Sequence, residues 1–211
     1  MAGIRPLAPY GIGPGKKSSA MKGIIFNLLE DVVSHHHGET AWDDLLDEIG
    51  LDGVYTSLGS YSDDDFERLL HTVAKTRGMP PRECLRWFGR EAMPLLAKRY
   101  PVFFAGHRTT MPFILSVNSI IHPEVRKIHP GANCPVFRYE QTADGALHLG
   151  YESPRRFCAL AEGFIEGAAD HFGEAATVEH LRCATDGDPE CLLSIRIRAL
   201  EPTDGAAPLA G

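Results

Sequence analysis

The sequence predicts an α+β fold in which a helical N-terminal lobe packs on a lobe of antiparallel sheet plus helices. Over the first part of the chain, apolar residues recur at three- and four-residue spacing, which is typical of amphipathic helices. From about residue 134 the pattern changes to short alternating runs separated by turn sequences, which indicates antiparallel strands. The chain has 211 residues, 44% of them hydrophobic, and this is enough to bury the core of one two-lobed domain.

The helical elements follow from periodicity and from their end signals. Helical periodicity runs over residues 21–48, and a second helix is predicted near residues 40–49. A third helix is predicted to end at residue 77, and further helices are predicted over residues 81–98, 110–128 and 154–172. Thr40 is the expected N-cap and Gly50 the expected end of the second helix, while Ser62 can cap the third. Pro123 has no N–H and restricts the residue before it. We therefore expect a kink that takes His122 out of helical geometry.

The strands lie in the last third of the chain. Predicted strands cover residues 136–140, 146–150, 177–184 and 191–198. Residues 142–145 carry a hairpin signal between the first two, and residues 186–189 form the turn between the last two. Residues 1–20 are expected to be a disordered extension or the product of an upstream start, and residues 201–211 a disordered tail. The predicted domain is residues 21–200.

Composition excludes several classes of protein. The net charge of −7 without a basic stripe argues against nucleic-acid binding, and no apolar run is long enough to span a bilayer. The first twenty residues lack the apolar core of a secretion signal, so a reducing, cytoplasmic location is expected. The five cysteines are then thiols or metal ligands. We find no pattern that indicates an enzyme.

One short segment carries the strongest chemical signal. In an extended stretch, Tyr151, Ser153 and Arg155 project a phenol, a hydroxyl and a guanidinium to one face, a row suited to a carboxylate. His122 ends the apolar run 113–121 and could ligate a metal. Each feature also has an ordinary explanation, because such an alternation occurs in half-exposed strands and a histidine in an apolar run often belongs to a core.

Four sequence motifs of this chain occur in the same order as in a known protein family. Residues 21–27 resemble the N-terminus of haem-nitric oxide/oxygen binding (H-NOX) domains, and residues 118–125 resemble the segment carrying their axial histidine. Pro135, thirteen residues after His122, matches a proline that presses on the haem in this family. The Tyr-x-Ser-x-Arg row matches the motif that binds the haem propionates. The resemblance runs from residue 21 to about 198.

This resemblance implies a haem b held between the two lobes, with His122 as axial ligand and Tyr151, Ser153 and Arg155 on the propionates. Pro135 would hold the porphyrin off planar.

The ligand side of the haem is expected to lack a hydrogen-bond donor. Oxygen-binding relatives carry a tyrosine where this chain has Leu160, and Ile25 and Leu29 are expected beside it. Bound oxygen needs a donor far more than bound nitric oxide (NO) does, so the resemblance implies an NO sensor. NO binding would break the bond to His122. Because no second domain follows, the output is expected to act on a separate protein, either a histidine kinase or a cyclic-di-GMP enzyme.

A second constellation comprises Cys158, His180, Cys183 and Cys191. This set matches a Cys3His zinc site, and some bacterial relatives resemble it there, although buried free thiols remain the alternative. Two rival functions stay open. One is a zinc-thiolate redox sensor of the same fold, and the other is a haem-free module that binds an apolar small molecule or lipid.

Overall fold

The computed structural model describes residues 20–200 and confirms the α+β class; the expectations for residues 1–19 and 201–211 lie outside this range. The helices are α1 (Gly23–His37), α2 (Ala41–Ile49), α3 (Asp63–Arg77), α4 (Pro81–Arg99), α5 (Thr110–Ser116), α6 (His122–Ile128) and α7 (Cys158–His171). The strands are β1 (Ala20–Lys22), β2 (Ser60–Ser62), β3 (Val136–Gln141), β4 (Leu147–Glu152), β5 (Glu174–Arg182) and β6 (Cys191–Ala199). Within residues 20–200, no helix has the length and apolar character needed to cross a membrane.

The N-terminal lobe is built from α1 to α4, with β1 and β2 paired antiparallel beside them. Its centre is aromatic: Phe26, Phe66 and Phe88 are fully buried. The ring centroids of Phe26 and Phe66 lie 5.6 Å apart in an edge-to-face arrangement, which is favourable for aromatic pairs. The apolar spacing in the sequence therefore marks the core-facing sides of these helices.

The helix ends agree with the sequence at two positions and differ at one. Ser62 caps α3, since its hydroxyl oxygen accepts a hydrogen bond from the Asp64 N–H at 3.1 Å. Gly50 ends α2 in the left-handed conformation, with φ 65°. Thr40 precedes α2 as expected, but it makes no side-chain cap bond because its backbone is already helical, whereas an N-cap residue is normally extended.

The second lobe contains a four-stranded antiparallel sheet in the order β3-β4-β6-β5, with α7 packed against it. The predicted hairpin joins β3 and β4. Helix α7 begins at Cys158, four residues later than predicted. Arg156 has a left-handed φ of 55°, which a right-handed helix cannot include, so the helix starts only after it.

Helices α4 and α7 join the two lobes at unusually short range. A Cβ atom added to Gly163 would lie 1.9 Å from the Arg86 carbonyl oxygen, so only glycine allows this approach. The Arg86 side chain pairs with Glu166 and, at 3.2 Å, with Glu162, both on α7. Close backbone contact and ion pairs therefore hold α7 firmly against the helical lobe.

The segment expected as one helix over residues 110–128 is divided into α5, a π-helical turn at Val117–Ile121, and α6. His122 has φ −62° and ψ −39°, so the prediction that it leaves helical geometry was wrong. Pro123 occupies the first turn of α6, where a missing N–H is tolerated. The wide turn before His122 absorbs the disturbance that we had expected at His122 itself.

Candidate functional site

An apolar cavity of about 300 Å³ lies between the two lobes. This volume is at the lower end of the range of about 300–1,000 Å³ that is usual for small-molecule sites. Its wall is formed by α1, α4, α7, the segment around α6, and the turn after β4. The predicted site residues that line it are Ile25, His122, Pro135, Tyr151, Ser153, Arg155 and Leu160. The fold thus brings together residues that are up to 135 positions apart in sequence.

His122 presents an uncharged imidazole to this cavity. Burial, assisted by the charge of Arg126, lowers the pKa of His122 to about 4. Its Nδ1 atom is shielded from water and has no hydrogen-bond partner among the described residues. The ring lies 5.6 Å from that of Phe137, in β3. A neutral imidazole in an apolar wall is the form that binds a metal.

Tyr151 and Ser153 supply hydroxyl groups at the same cavity. Burial raises the pKa of Tyr151 to about 12, so its phenol remains a proton donor at neutral pH. Strand β4 ends at Glu152, and the Arg155 N–H donates to the Ser153 hydroxyl at 3.3 Å across a turn. The expected extended row is therefore wrong beyond Tyr151, although the turn still brings all three side chains to the cavity.

Arg155 is held by a partner that the sequence reasoning missed. Its Nε–H donates to both carboxylate oxygens of Asp63 at 3.0 Å, and the side chains are only 9% and 14% exposed. Nη1 and Nη2 donate to the carbonyls of Asn133 and Ala20, each at 2.8 Å. These bonds use three of the five N–H groups of the guanidinium, which leaves two to bind an anion. In the sequence, Asp63 is one of three acidic residues in the first turn of α3, a position that the helix dipole alone explains.

The other end of the cavity is apolar around α7 and α1. Leu160 lies between Phe157 and Phe164 on the cavity wall, and Ile25 contributes from α1. Leu29, which we expected beside them, is fully buried in the core of the helical lobe and does not line the cavity. It lies one helical turn beyond Ile25, where α1 packs against its own lobe.

Two polar residues of the wall had no signal in the sequence. The Tyr100 hydroxyl and His129 Nε2 lie 2.9 Å apart, and both residues line the cavity. Burial raises the pKa of Tyr100 and lowers that of His129, so both are uncharged at neutral pH. Because they bind each other across 29 residues, only the folded chain shows the pair.

Three sulfur atoms form a compact cluster where the start of α7 meets the turn between β5 and β6. Cys158, Cys183 and Cys191 are buried, and their sulfurs all lie within 4.8 Å of one another. Cys158 and Cys183 are 3.6 Å apart at sulfur. A hydrogen bond from Cys158 lowers the pKa of Cys191, and the same bond, with burial, raises that of Cys158. One thiolate beside two further sulfurs is a donor set suited to a soft cation such as zinc.

His180, the fourth predicted ligand, lies outside this compact set. Its Nε2 is 2.8 Å from the Glu162 carboxylate, while its Nδ1 is buried without a hydrogen-bond partner among the described residues. A carboxylate that holds one imidazole nitrogen is a common support for a histidine that binds metal through the other. The structure therefore brings together three of the four residues and leaves the fourth with one nitrogen unused.

Comparison with known proteins identifies the family. The sequence model described as haem-NO-binding matches residues 22–180, which is most of the chain. This chain belongs to the haem-NO-binding (H-NOX) family. Its members are haem-based gas sensors, so the sequence resemblance is confirmed at the level of the family. Among curated proteins no match was found.

Solved H-NOX structures have the same fold. An H-NOX protein from S. oneidensis in the Fe(II)NO ligation state is 32% identical, with a TM-score of 0.79, over 84% of this chain and 99% of the other. An H-NOX domain from Shewanella oneidensis solved by NMR in the Fe(II)CO ligation state is 32% identical, with a TM-score of 0.77, over 84% of this chain and 99% of the other. The unliganded Fe(II) H-NOX protein from K. algicida is 27% identical over 85% of this chain and 98% of the other, with a TM-score of 0.73.

The cavity fits the haem that H-NOX proteins bind. Its apolar wall suits a porphyrin, His122 offers a neutral nitrogen, and Tyr151, Ser153 and Arg155 offer donors for carboxylates. The Nδ1 atom of His122 is buried without a hydrogen-bond partner among the described residues, so one ring nitrogen is not used in the protein's own hydrogen bonding.

Proposed function

We propose that this protein is a sensor of NO that binds haem b through His122 and regulates a separate signalling protein. The observation that carries this proposal is the cavity. One wall holds an uncharged imidazole and a group of anion-binding donors, while Leu160 and its neighbours offer only carbon. The S. oneidensis relative in its Fe(II)NO state supports NO as the ligand.

Bound haem would supply a ferrous iron able to bind NO. The remaining roles belong to the chain. His122 would hold the iron and, once released, would free α6. Tyr151, Ser153 and the two remaining N–H groups of Arg155 would anchor the propionates. Pro135 would press on the porphyrin from a rigid ring.

Leu160 would exclude oxygen. Oxygen binding would need a hydrogen-bond donor nearby, which the alkyl side chain of Leu160 cannot supply. The Tyr100 hydroxyl, the other phenol besides Tyr151 among the cavity-lining residues described, is already bound to His129. The partner in trans is proposed to be a histidine kinase or a cyclic-di-GMP enzyme, acting in the cytoplasm.

The absorption spectrum of the reduced protein tests this proposal under argon, in air and with NO. We expect a five-coordinate ferrous haem that air changes only by slow oxidation and that NO converts to a five-coordinate complex. His122→Gly should lose the axial bond but regain it with added imidazole. A stable oxygen complex in air would contradict the role of Leu160. Failure to take up haem after reconstitution would favour a haem-free binding module.

A second candidate function, zinc-thiolate redox sensing, is favoured by the three clustered sulfurs. Zinc would be bound by Cys158, Cys183 and Cys191, with the unused Nδ1 of His180 as the fourth donor. Metal analysis of the purified protein should then give one zinc per chain, lost in Cys183→Ser. Under this candidate, peroxide alters the output of the partner in wild-type protein but not in Cys183→Ser, while the response to NO is retained.

A further inference from the structure

Strand β3 is an edge strand, since it pairs only with β4 in the sheet order β3-β4-β6-β5 of the described chain. At an edge, every second residue points its N–H and C=O away from the sheet, where they need another partner. At Phe137 the partner is a side chain. The Asn118 amide donates from Nδ2 to the Phe137 carbonyl at 2.5 Å and accepts the Phe137 N–H at Oδ1, at 3.2 Å. One amide therefore completes both backbone bonds of this residue.

We call these two hydrogen bonds between Asn118 and Phe137 the Asn118 clamp. Its two ends lie in segments that line the candidate haem cavity. Asn118 is in the π-helical turn, four residues before His122. Phe137 follows Pro135 by two residues, and its ring lies 5.6 Å from the His122 ring. The clamp thus joins the segment that carries the candidate axial ligand to the segment that carries the candidate haem-distorting proline.

The rest of β3 is attached to a different element. The Tyr139 hydroxyl donates to the Ile114 carbonyl, at 2.8 Å, near the end of α5. This second attachment lies on the far side of the π-helical turn from His122. A movement of α6 could therefore leave α5 in place on the sheet, and the Asn118 clamp would take up the movement.

We propose that Asn118 is a positioning residue that sets the distance between His122 and Pro135 and so couples their movements. This inference rests on the proposed haem function. A π-helical turn is intrinsically less stable than an α-helical one, and such turns are often found at functional sites. Here the Asn118 clamp fixes one end of that turn to the sheet. The segment that carries His122 into the cavity is therefore attached to β3.

The first test uses haem-free protein and measures amide hydrogen exchange at Phe137. Asn118→Ala should accelerate exchange of this amide about fivefold or more, since one net hydrogen bond changes an opening equilibrium by about that factor. Asn118→Asp keeps the acceptor for the Phe137 N–H and loses the donor to its carbonyl, so its exchange should stay closer to wild type. This pair also provides a folded variant if the alanine protein is unstable.

The second test uses the haem-loaded protein. In Asn118→Ala the conversion of the six- to the five-coordinate NO complex, followed by stopped-flow absorption, should be about fivefold faster, because His122 is less firmly presented. Out-of-plane porphyrin bands in the resonance Raman spectrum should weaken, because Pro135 is held less firmly. In both measurements, Asn118→Asp should give values between those of the wild type and Asn118→Ala.

Asn27→Ala is the matched control. Asn27 also makes a two-point amide clamp, donating to the Tyr55 carbonyl at 2.8 Å and accepting from the Ser57 hydroxyl at 2.9 Å. It lies in the helical lobe, so its loss should lower stability without changing either haem measurement.

The outcomes of these experiments distinguish failure of the positioning role of Asn118 from failure of the proposed haem function. Faster exchange at Phe137 with unchanged NO kinetics and Raman bands would mean that Asn118 only protects the sheet edge, and would overturn the positioning role. Equal effects in Asn27→Ala would overturn it as well, since they would reflect general loosening. Wild-type protein that takes up no haem would overturn the proposed function itself, and the positioning role with it.

Discussion

Arg155 and Asp63 form an ion pair that is almost closed to water, and its loss is a measurable test of the site. The substitution Asp63→Asn keeps the shape of the side chain and removes its charge. Two other acceptors of Arg155, the carbonyls of Asn133 and Ala20, stay in place. The change therefore isolates the charged contact between the first turn of α3 and the turn after β4.

The expected cost follows from burial and from helix position. A hydrogen bond to a charged group contributes about 1.5–3 kcal/mol, and with 9% and 14% exposure little of this is screened by solvent. Asp63 also stabilises the α3 dipole by about 0.3–1 kcal/mol. The exposed neighbour Asp64 occupies the same turn without a buried partner, so Asp64→Asn measures the dipole contribution alone. We expect a difference of about 2 kcal/mol between the two variants in haem-free protein.

Urea unfolding of both variants, with and without haem, is the assay. If a propionate binds Arg155 as proposed, it would supply the missing negative charge in haem-loaded protein, so the difference should fall to about half. If the two variants cost the same in haem-free protein, the buried pair does not contribute as argued. If the difference is unchanged by haem, Arg155 does not bind a propionate.

Three further predictions concern α7 and its neighbours. Leu160→Tyr should permit reversible oxygen binding in air, seen in the absorption spectrum, whereas Leu160→Phe should not, because only tyrosine adds a donor. Gly163→Ala should lower the free energy of unfolding in urea by about 2 kcal/mol, since overlap with the Arg86 carbonyl outweighs the gain in helix propensity of about 1 kcal/mol; a more stable variant would refute this. In metal-free protein, ultraviolet thiolate absorbance should show one thiol with a pKa below that of an ordinary cysteine, and Cys158→Ala should move this midpoint upward. Because the pKa of Cys191 is lowered in the folded protein, its stabilisation is complete above the unfolded value of about 8.5 and is lost as the pH falls through the lowered pKa. A midpoint unchanged by Cys158→Ala would contradict the hydrogen bond.

Local signals predicted most of the fold. The cap at Ser62, the glycine end of α2 and the hairpin over residues 142–145 depend on neighbouring residues, so the sequence shows them directly. The start of α7 and the π-helical turn did not follow the same rules. The start of α7 depends on the left-handed backbone of Arg156, and the π-helical turn lies at Val117–Ile121, before the residue at which the proline rule predicts the disturbance.

The residues of the candidate site also fall into those that the sequence predicts and those that only the folded chain shows. His122, Pro135 and the Tyr-x-Ser-x-Arg row could be found because a family pattern marks them, and all of them line one cavity. Asp63 could not be assigned, since its partner is 92 residues away and its local sequence already explained an acidic helix start. Leu29 shows the opposite error: helical spacing placed it on the same face as Ile25 but could not tell where the cavity ends.

The contact between Arg155 and the Ala20 carbonyl has a practical consequence for anyone producing this protein. Ala20 is joined by a peptide bond to Met21, and both line the cavity. Recombinant protein started at Met21 would lack that carbonyl and would carry in its place an α-amino group, largely protonated near neutral pH. Two cations would then meet where a neutral acceptor had been, and haem uptake measured on such protein would report the choice of first residue as well as the chemistry of the pocket.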